Sequence, residues 1–421
     1  MRRSWCWSLI ALSLMLTHPA RAATFEDAVA AYKRKDYASA LSLFRTLAAH
    51  GDIRAEGNVG AMYANGEGVR QDYAEALKWY RRGAEHGDPH AQYNLGVRYD
   101  HGGGVAQDYA EALKWYRLAA AKGDVQAHDN LGVMYANGHG VTQDFAAAAT
   151  EFRIAAERGE AQAQDNLAIL YATGRGVPQD DAEAIRWFNL SARQGNAQAQ
   201  FNLGVRYAQG KGLEQNYDEA LKWYRLSADQ NYSEAENNLG AMYESGLGVT
   251  LDDVVAVKWF RLAALHNNPK AETNLGIMYA HGKGVTQDFV EARKWFQLGA
   301  DHGEVKAQSN LGALYATGKG VPQSYLEAAK WYGLAAQHGD EAAGSVLEKI
   351  RSVQARESAP AQRLAERGAG IQMLSAPRQP IARLEPTMFR FSPPVLAQRT
   401  VSIGPPPLMG FHAMGGRFGR R

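Results

Sequence analysis

Seven tryptophans, Trp79, Trp115, Trp187, Trp223, Trp259, Trp295 and Trp331, are spaced by 36 residues or by twice that. The one vacancy falls at Glu151, with Phe152 beside it. Two more columns keep the same register, an asparagine column from Asn58 to Asn310 and a tyrosine column from Tyr63 to Tyr315. A glycine pair follows each tyrosine, from Gly66 and Gly68 to Gly318 and Gly320. A fixed period of this size is the signature of a solenoid, in which each unit buries its apolar face only by stacking on the next. The stretch DYAEALKWYR occurs unchanged at 72–81 and 108–117, as expected where every joint poses the same packing problem.

Each unit reads as two helices. Gly87 suits a left-handed helix end. Asp88 can cap the next helix, with Pro89 in its first position. Ala91, Leu95 and Tyr99 then recur on one helical face. HGGGV breaks that helix. Asp108 is placed to cap the second one, and Glu111 to complete a capping box. Ala112, Trp115, Tyr116 and Ala119 carry its buried face. No segment shows sustained strand alternation. Each tryptophan is expected to wedge between neighbouring pairs, with truncation to Ala costing about 3–5 kcal/mol.

The consensus AxxNLGxxYxxGxGVxQDxxEAxKWYRxAAxxGDxxA resembles the Sel-one-like repeat family, a branch of the tetratricopeptide class. The resemblance implies an all-α, right-handed superhelical α/α solenoid of about eight 36-residue repeats with caps at both ends. The expected boundaries are a capping hairpin at 23–51, repeats at 52–340, a capping helix at 341–356 and a disordered tail at 357–421. For function it implies a scaffold or adaptor that binds protein or peptide without catalysis.

The first 22 residues read as an export signal: Arg2 and Arg3, an apolar stretch too short to span a bilayer, then Ala20 and Ala22 in an A-x-A arrangement. Sec-type cleavage near Ala22 would place the product in the periplasm or outside the cell. Cys6 is the only cysteine and lies within this signal, so disulfides, thiolate metal sites and a Cys nucleophile are excluded from the mature chain. No later stretch is apolar enough to cross a membrane. The whole chain carries 46 Lys and Arg against 44 Asp and Glu, which gives no sign of nucleic acid as a partner. The distribution is uneven. Residues 24–356 balance to −7, whereas 357–421 hold nine arginines against three acids, together with nine of the fourteen prolines.

No HExxH, Walker loop, GxSxG or SxxK occurs. No catalytic residue, cofactor or metal is therefore expected, and the β-lactam-directed activity linked to cysteine-rich relatives is disfavoured. The Gly pairs fall at a helix end in every unit, a structural position. His50, His86, His266, His302 and His338 share the last turn of the second helix, where a cation complements the helix dipole. The Asn column is expected to bond backbone within its own helix pair.

In such an array the columns that vary report what the surface touches. By resemblance, the first helix of each pair lines a concave groove. Two residues before the conserved Leu stand Tyr93 and Phe201, and five after it an Ala column is broken by Asp100 and Glu244. His101 adjoins Asp100. Tyr93, Asp100 and His101, with Phe201 and Glu244 second, are the candidate contacts, an aromatic anchor flanked by polar groups. A histidine there could make binding acid-sensitive. The basic tail is a second candidate, as an arm toward an anionic surface. The sequence thus predicts an exported adaptor, in a role such as envelope signalling or assembly of polysaccharide export. The competing classes are a cell-wall-directed hydrolase, which would need two facing carboxylates about 5–10 Å apart, and a passive spacer.

Overall fold

A computed structural model describes residues 24–366. The described residues contain nineteen helices and no strand. They form two compact units, residues 24–155 and 156–366. The first unit opens with the short pair α1 (Phe25–Lys33) and α2 (Tyr37–Ala49). The first helices of the later pairs are α3 (Ile53–Asn65), α5 (Pro89–His101), α7 (Val125–Asn137), α9 (Ala161–Thr173), α11 (Ala197–Gln209), α13 (Ser233–Ser245), α15 (Pro269–His281) and α17 (Val305–Thr317). Their second helices are α4 (Tyr73–Glu85), α6 (Tyr109–Ala121), α8 (Phe145–Glu157), α10 (Asp181–Arg193), α12 (Tyr217–Ala228), α14 (Asp253–Leu265), α16 (Phe289–Asp301) and α18 (Tyr325–Gln337). The long α19 (Glu341–Glu366) follows. Helices paired in this way, 12 or 13 residues each from α3 to α18, make an α/α solenoid.

Caps set these boundaries. Asp88 accepts a hydrogen bond from the Ala91 amide, with Pro89 opening α5. Gly102 ends α5 in the left-handed region and Gly87 ends α4 at φ +90°. Asp108 caps α6 through the amides of Ala110 and Glu111. The Glu111 carboxylate makes no box there; it turns outward to Lys114. In seven of the eight pairs the second glycine is forced by a neighbour. A Cβ on Gly68 would lie 2.5 Å from the Tyr37 carbonyl oxygen, and one on Gly140 2.5 Å from that of Tyr109. The glycine pair is thus a seat for the preceding second helix, which accounts for its recurrence without any phosphate ligand.

The aromatic that fills the inside of each pair is distinct from the tryptophan expected between pairs. It is the residue after it: Tyr80, Tyr116, Phe152, Phe188, Tyr224, Phe260, Phe296 and Tyr332, all buried. Each ring lies flat against the first helix at the residue following the conserved Leu. That residue is Gly in seven pairs, and a Cβ on Gly132 would stand 2.5 Å from the Phe152 ring. Trp187 is buried, but the other six tryptophans are only half-buried. Trp79 packs on a cluster of Phe44 from the preceding pair with Val59 and Met62 of its own, and Trp331 on Phe296 of the preceding pair with Leu311 and Leu314 of its own. The large truncation cost therefore passes to the Tyr/Phe column, and tryptophan holds the joint from its rim.

The asparagine column also departs from expectation. Asn58 donates to the Arg54 carbonyl in its own helix, but Asn202 and Asn274 donate to Asp165 and Asn237 of the preceding pair. At the C-terminal end, α19 continues past the boundary expected at Arg356, as far as Glu366. The rest of the tail and the expected export signal at 1–22 lie outside the described residues.

Candidate functional site

The column two residues before the conserved Leu faces packed neighbours. Phe201 is only 1% exposed, with its ring against Tyr224 and Tyr232 at 5.8 and 5.4 Å. It is core and is withdrawn as a contact. Asp129, Asp165, Asn237 and Thr273 in the same column are buried too. The cause is geometric. A first helix touches its own second helix, the preceding second helix and further first helices, as α3 touches α5, so only a narrow strip stays free. Tyr93 is half-buried and packs on the Tyr116 ring at 5.9 Å.

Asp100 and Glu244 fare differently. Asp100 accepts from the Tyr116 hydroxyl at 3.2 Å, so Tyr93, Tyr116, Asp100 and the adjacent exposed His101 form one cluster. Burial pushes the Asp100 carboxyl up, against the pull of His101, the Tyr116 hydroxyl and His139. His139, the middle residue of the next glycine pair, stacks on Tyr109 with ring centroids 4.4 Å apart. Gln107 ties the loop down, donating to the Asp100 carbonyl and the Tyr109 hydroxyl. In the other unit, Glu244 meets Lys283 at 3.3 Å, and Lys283 is again the middle residue of the next glycine pair. Both acids thus answer a basic group 39 residues on. Burial, Lys283 and Lys319 together push the neighbouring His281 down. The paired columns could have been seen by setting the broken Ala column beside the glycine-pair column one repeat later.

The second-helix histidines have a different role from the one expected. His86 bonds Glu56 at 2.8 Å, His266 bonds Glu236 at 2.8 Å and His302 bonds Glu272 at 2.9 Å. All three carboxylates are fully buried, within the same helix pair as their histidine. Burial pushes Glu236 and Glu272 up, opposed by the histidine hydrogen bond. Elsewhere the same slots hold Gln194 on Gln164 and Gln230 on Gln200, both at 2.8 Å. His50 alone bonds backbone, the Thr46 carbonyl. The vacancy at Glu151 belongs to this logic. In that pair His128 takes the Glu/Gln slot, and Glu151, in the tryptophan slot, meets its ring at 2.6 Å.

Among the described residues no group of three or more His, Cys, Asp or Glu is placed to hold a metal ion. None of their helices is long and apolar enough to cross a membrane. Several buried polar groups are paired with one another inside a repeat, as internal latches.

A solenoid of this kind is typically a protein-interaction scaffold. The Sel1 repeat family model matches eight consecutive segments, 53–88, 89–124, 125–160, 161–196, 197–232, 233–268, 269–304 and 305–340, and the chain belongs to that family. Among solved structures it is similar to c5321, a protective antigen of uropathogenic Escherichia coli with an SLR fold. The identity is 32%, the TM-score 0.59, and the match covers 79% of this chain and 80% of that one. It is also similar to a Sel1 repeat protein from Oxalobacter formigenes, at 35% identity and a TM-score of 0.56, covering 73% and 89%. A comparison with curated proteins found no match.

Proposed function

We propose that this chain is an exported, non-catalytic adaptor that holds a protein or peptide partner along the free strip of its first helices. The centre of recognition in residues 24–155 is Asp100, His101 and His139, with Tyr93 as the ring behind them. A second contact in residues 156–366 is Glu244 with Lys283. The observation that carries this reading is Asp100. It replaces an alanine that packs well elsewhere and sits half-buried at an electrostatic cost, the kind of local penalty that functional positions carry. Export to the periplasm, and a role in envelope signalling or polysaccharide-export assembly, complete the proposal; the export signal at 1–22 supports the first.

The test is in-cell photo-crosslinking from His101 and His139, with buried Tyr224 as the control. One envelope protein captured at both sites and not at the control is the expected result. The same capture yield from an Asp100→Ala chain would remove Asp100 from the site. An affinity for that partner unchanged between pH 5.5 and 7.5 would rule out acid-sensitive binding at this site.

A further inference from the structure

The second position of the second helices runs Ala74, Ala110, Ala146, Ala182, Asp218, Val254, Val290 and Leu326. The last three are 51%, 48% and 74% exposed. Leu251, at the start of the same row, replaces a glutamine found in every other pair and is itself exposed. An array end normally turns polar to stay soluble. Here apolar exposure rises toward the end instead.

The chain leaves the array at that same side. Three residues separate α18 from α19, and the two helices run antiparallel: Leu347 lies against Gly333 and Gly344 against Ala336. At 1.5 Å per residue, α19 draws level with Leu326 near Gln354 and then continues about 18 Å past it. From Glu366 to Phe391 the chain can span up to about 80 Å. Residues 391–414, FSPPVLAQRTVSIGPPPLMGFHAM, carry Val395, Leu396, Val401, Ile403, Leu408 and Phe411 with Arg399 as the single formal charge. Residues 367–421 hold eight arginines against one glutamate, while 24–366 hold 35 bases against 43 acids. Asp252, Asp253 and Asp288 sit at the very helix ends that carry the apolar row.

We propose that the row Leu251, Val254, Val290 and Leu326 is the docking surface for this chain's own residues 391–414. The apolar side chains of the segment cover the row, and its flanking arginines face the acidic helix ends. This surface lies on second helices and is independent of the recognition strip proposed above.

Cys6 is the only cysteine, so site-specific crosslinking of the full chain is direct in a Cys6→Ser background. A cysteine at Lys330, one turn from Leu326, is paired with one at Ser392 or Ser402. Lys222, one turn from Asp218, serves as the comparison site. After dilution and a short bismaleimide reaction, an intramolecular link to Lys330→Cys at least fivefold above that to Lys222→Cys is expected. It should fall to the comparison level with Leu326→Asp plus Val290→Asp. Leu326→Ser is a milder second variant, and circular dichroism checks that each chain is folded. Equal linking at both sites, links insensitive to the substitutions, no link at all, or links only between chains would each overturn the proposal. The last outcome would assign the row to a second copy.

Discussion

Residues 161–196 and 269–304 put the same two helix positions at hydrogen-bond distance and fill them differently. In one, Gln194 meets Gln164 at 2.8 Å; in the other, His302 meets the buried carboxylate of Glu272 at 2.9 Å. The second-helix caps, Asp180 and Asp288, and the buried rings, Phe188 and Phe296, are alike. A slot that accepts a neutral amide pair does not need an ionisable one, so the Glu–His version adds a response to pH that stacking does not require. Of the three Glu–His slots, the neighbouring Glu236–His266 and Glu272–His302 hold carboxyls that burial pushes up.

If the two pairs share one mechanical base, removing that base should hurt both equally. Phe188→Ala and Phe296→Ala should each cost about 3–5 kcal/mol in chemical denaturation, since both rings are buried against a first helix. A loss under 1 kcal/mol in either would mean that pair rests on something else. The next effect asks whether the slots are interchangeable. Gln164→Glu alone leaves a buried carboxylate facing an amide and should destabilise by about 2–3 kcal/mol at neutral pH. Adding Gln194→His should recover more than half of it, and no recovery would show that the slots are not equivalent.

A smaller effect separates them by pH. Burial holds the Glu272 carboxyl above its ordinary 4.5, so folding favours its protonated form. That contribution is complete below the ordinary carboxyl range and is lost as pH rises through the raised value. The wild-type chain should therefore lose more stability between pH 4 and 7 than Glu272→Gln, whose melting temperature should vary less across that range. Parallel pH profiles would rule out the titration. The smallest change is Tyr279→Phe, which deletes the 2.9 Å bond from Arg261 at an exposed edge and should cost less than about 1 kcal/mol.

The fold was legible because it is written eight times: the period, the Asp88–Pro89 start and the Gly87 stop all carry local signals that geometry obeys. The ring inside each pair is legible as well, as an unbroken Tyr/Phe column beside the tryptophans. The site was harder to read. Variation at Phe201 looked like surface freedom, yet the position is packed on two tyrosines; column statistics cannot tell a joint that is refitted from a surface that is exposed. Asp100 and Glu244 stand out as breaks in an alanine column. Their basic counterparts His139 and Lys283 do not, because the link spans the boundary between one repeat and the next.

That boundary gives the array a serial order. The Glu–His and Gln–Gln latches lie inside single 36-residue units and travel with them. Asp165 does not: its buried carboxylate accepts from Gln198 and Asn202 of the following unit. Excising residues 197–232 would leave the reading frame of the repeat intact and bring Glu234 to the place of Gln198, one carboxylate against another. Modules that look like copies are therefore addressed to their neighbours, and a shuffled or shortened chain would be spelled correctly yet fail to join.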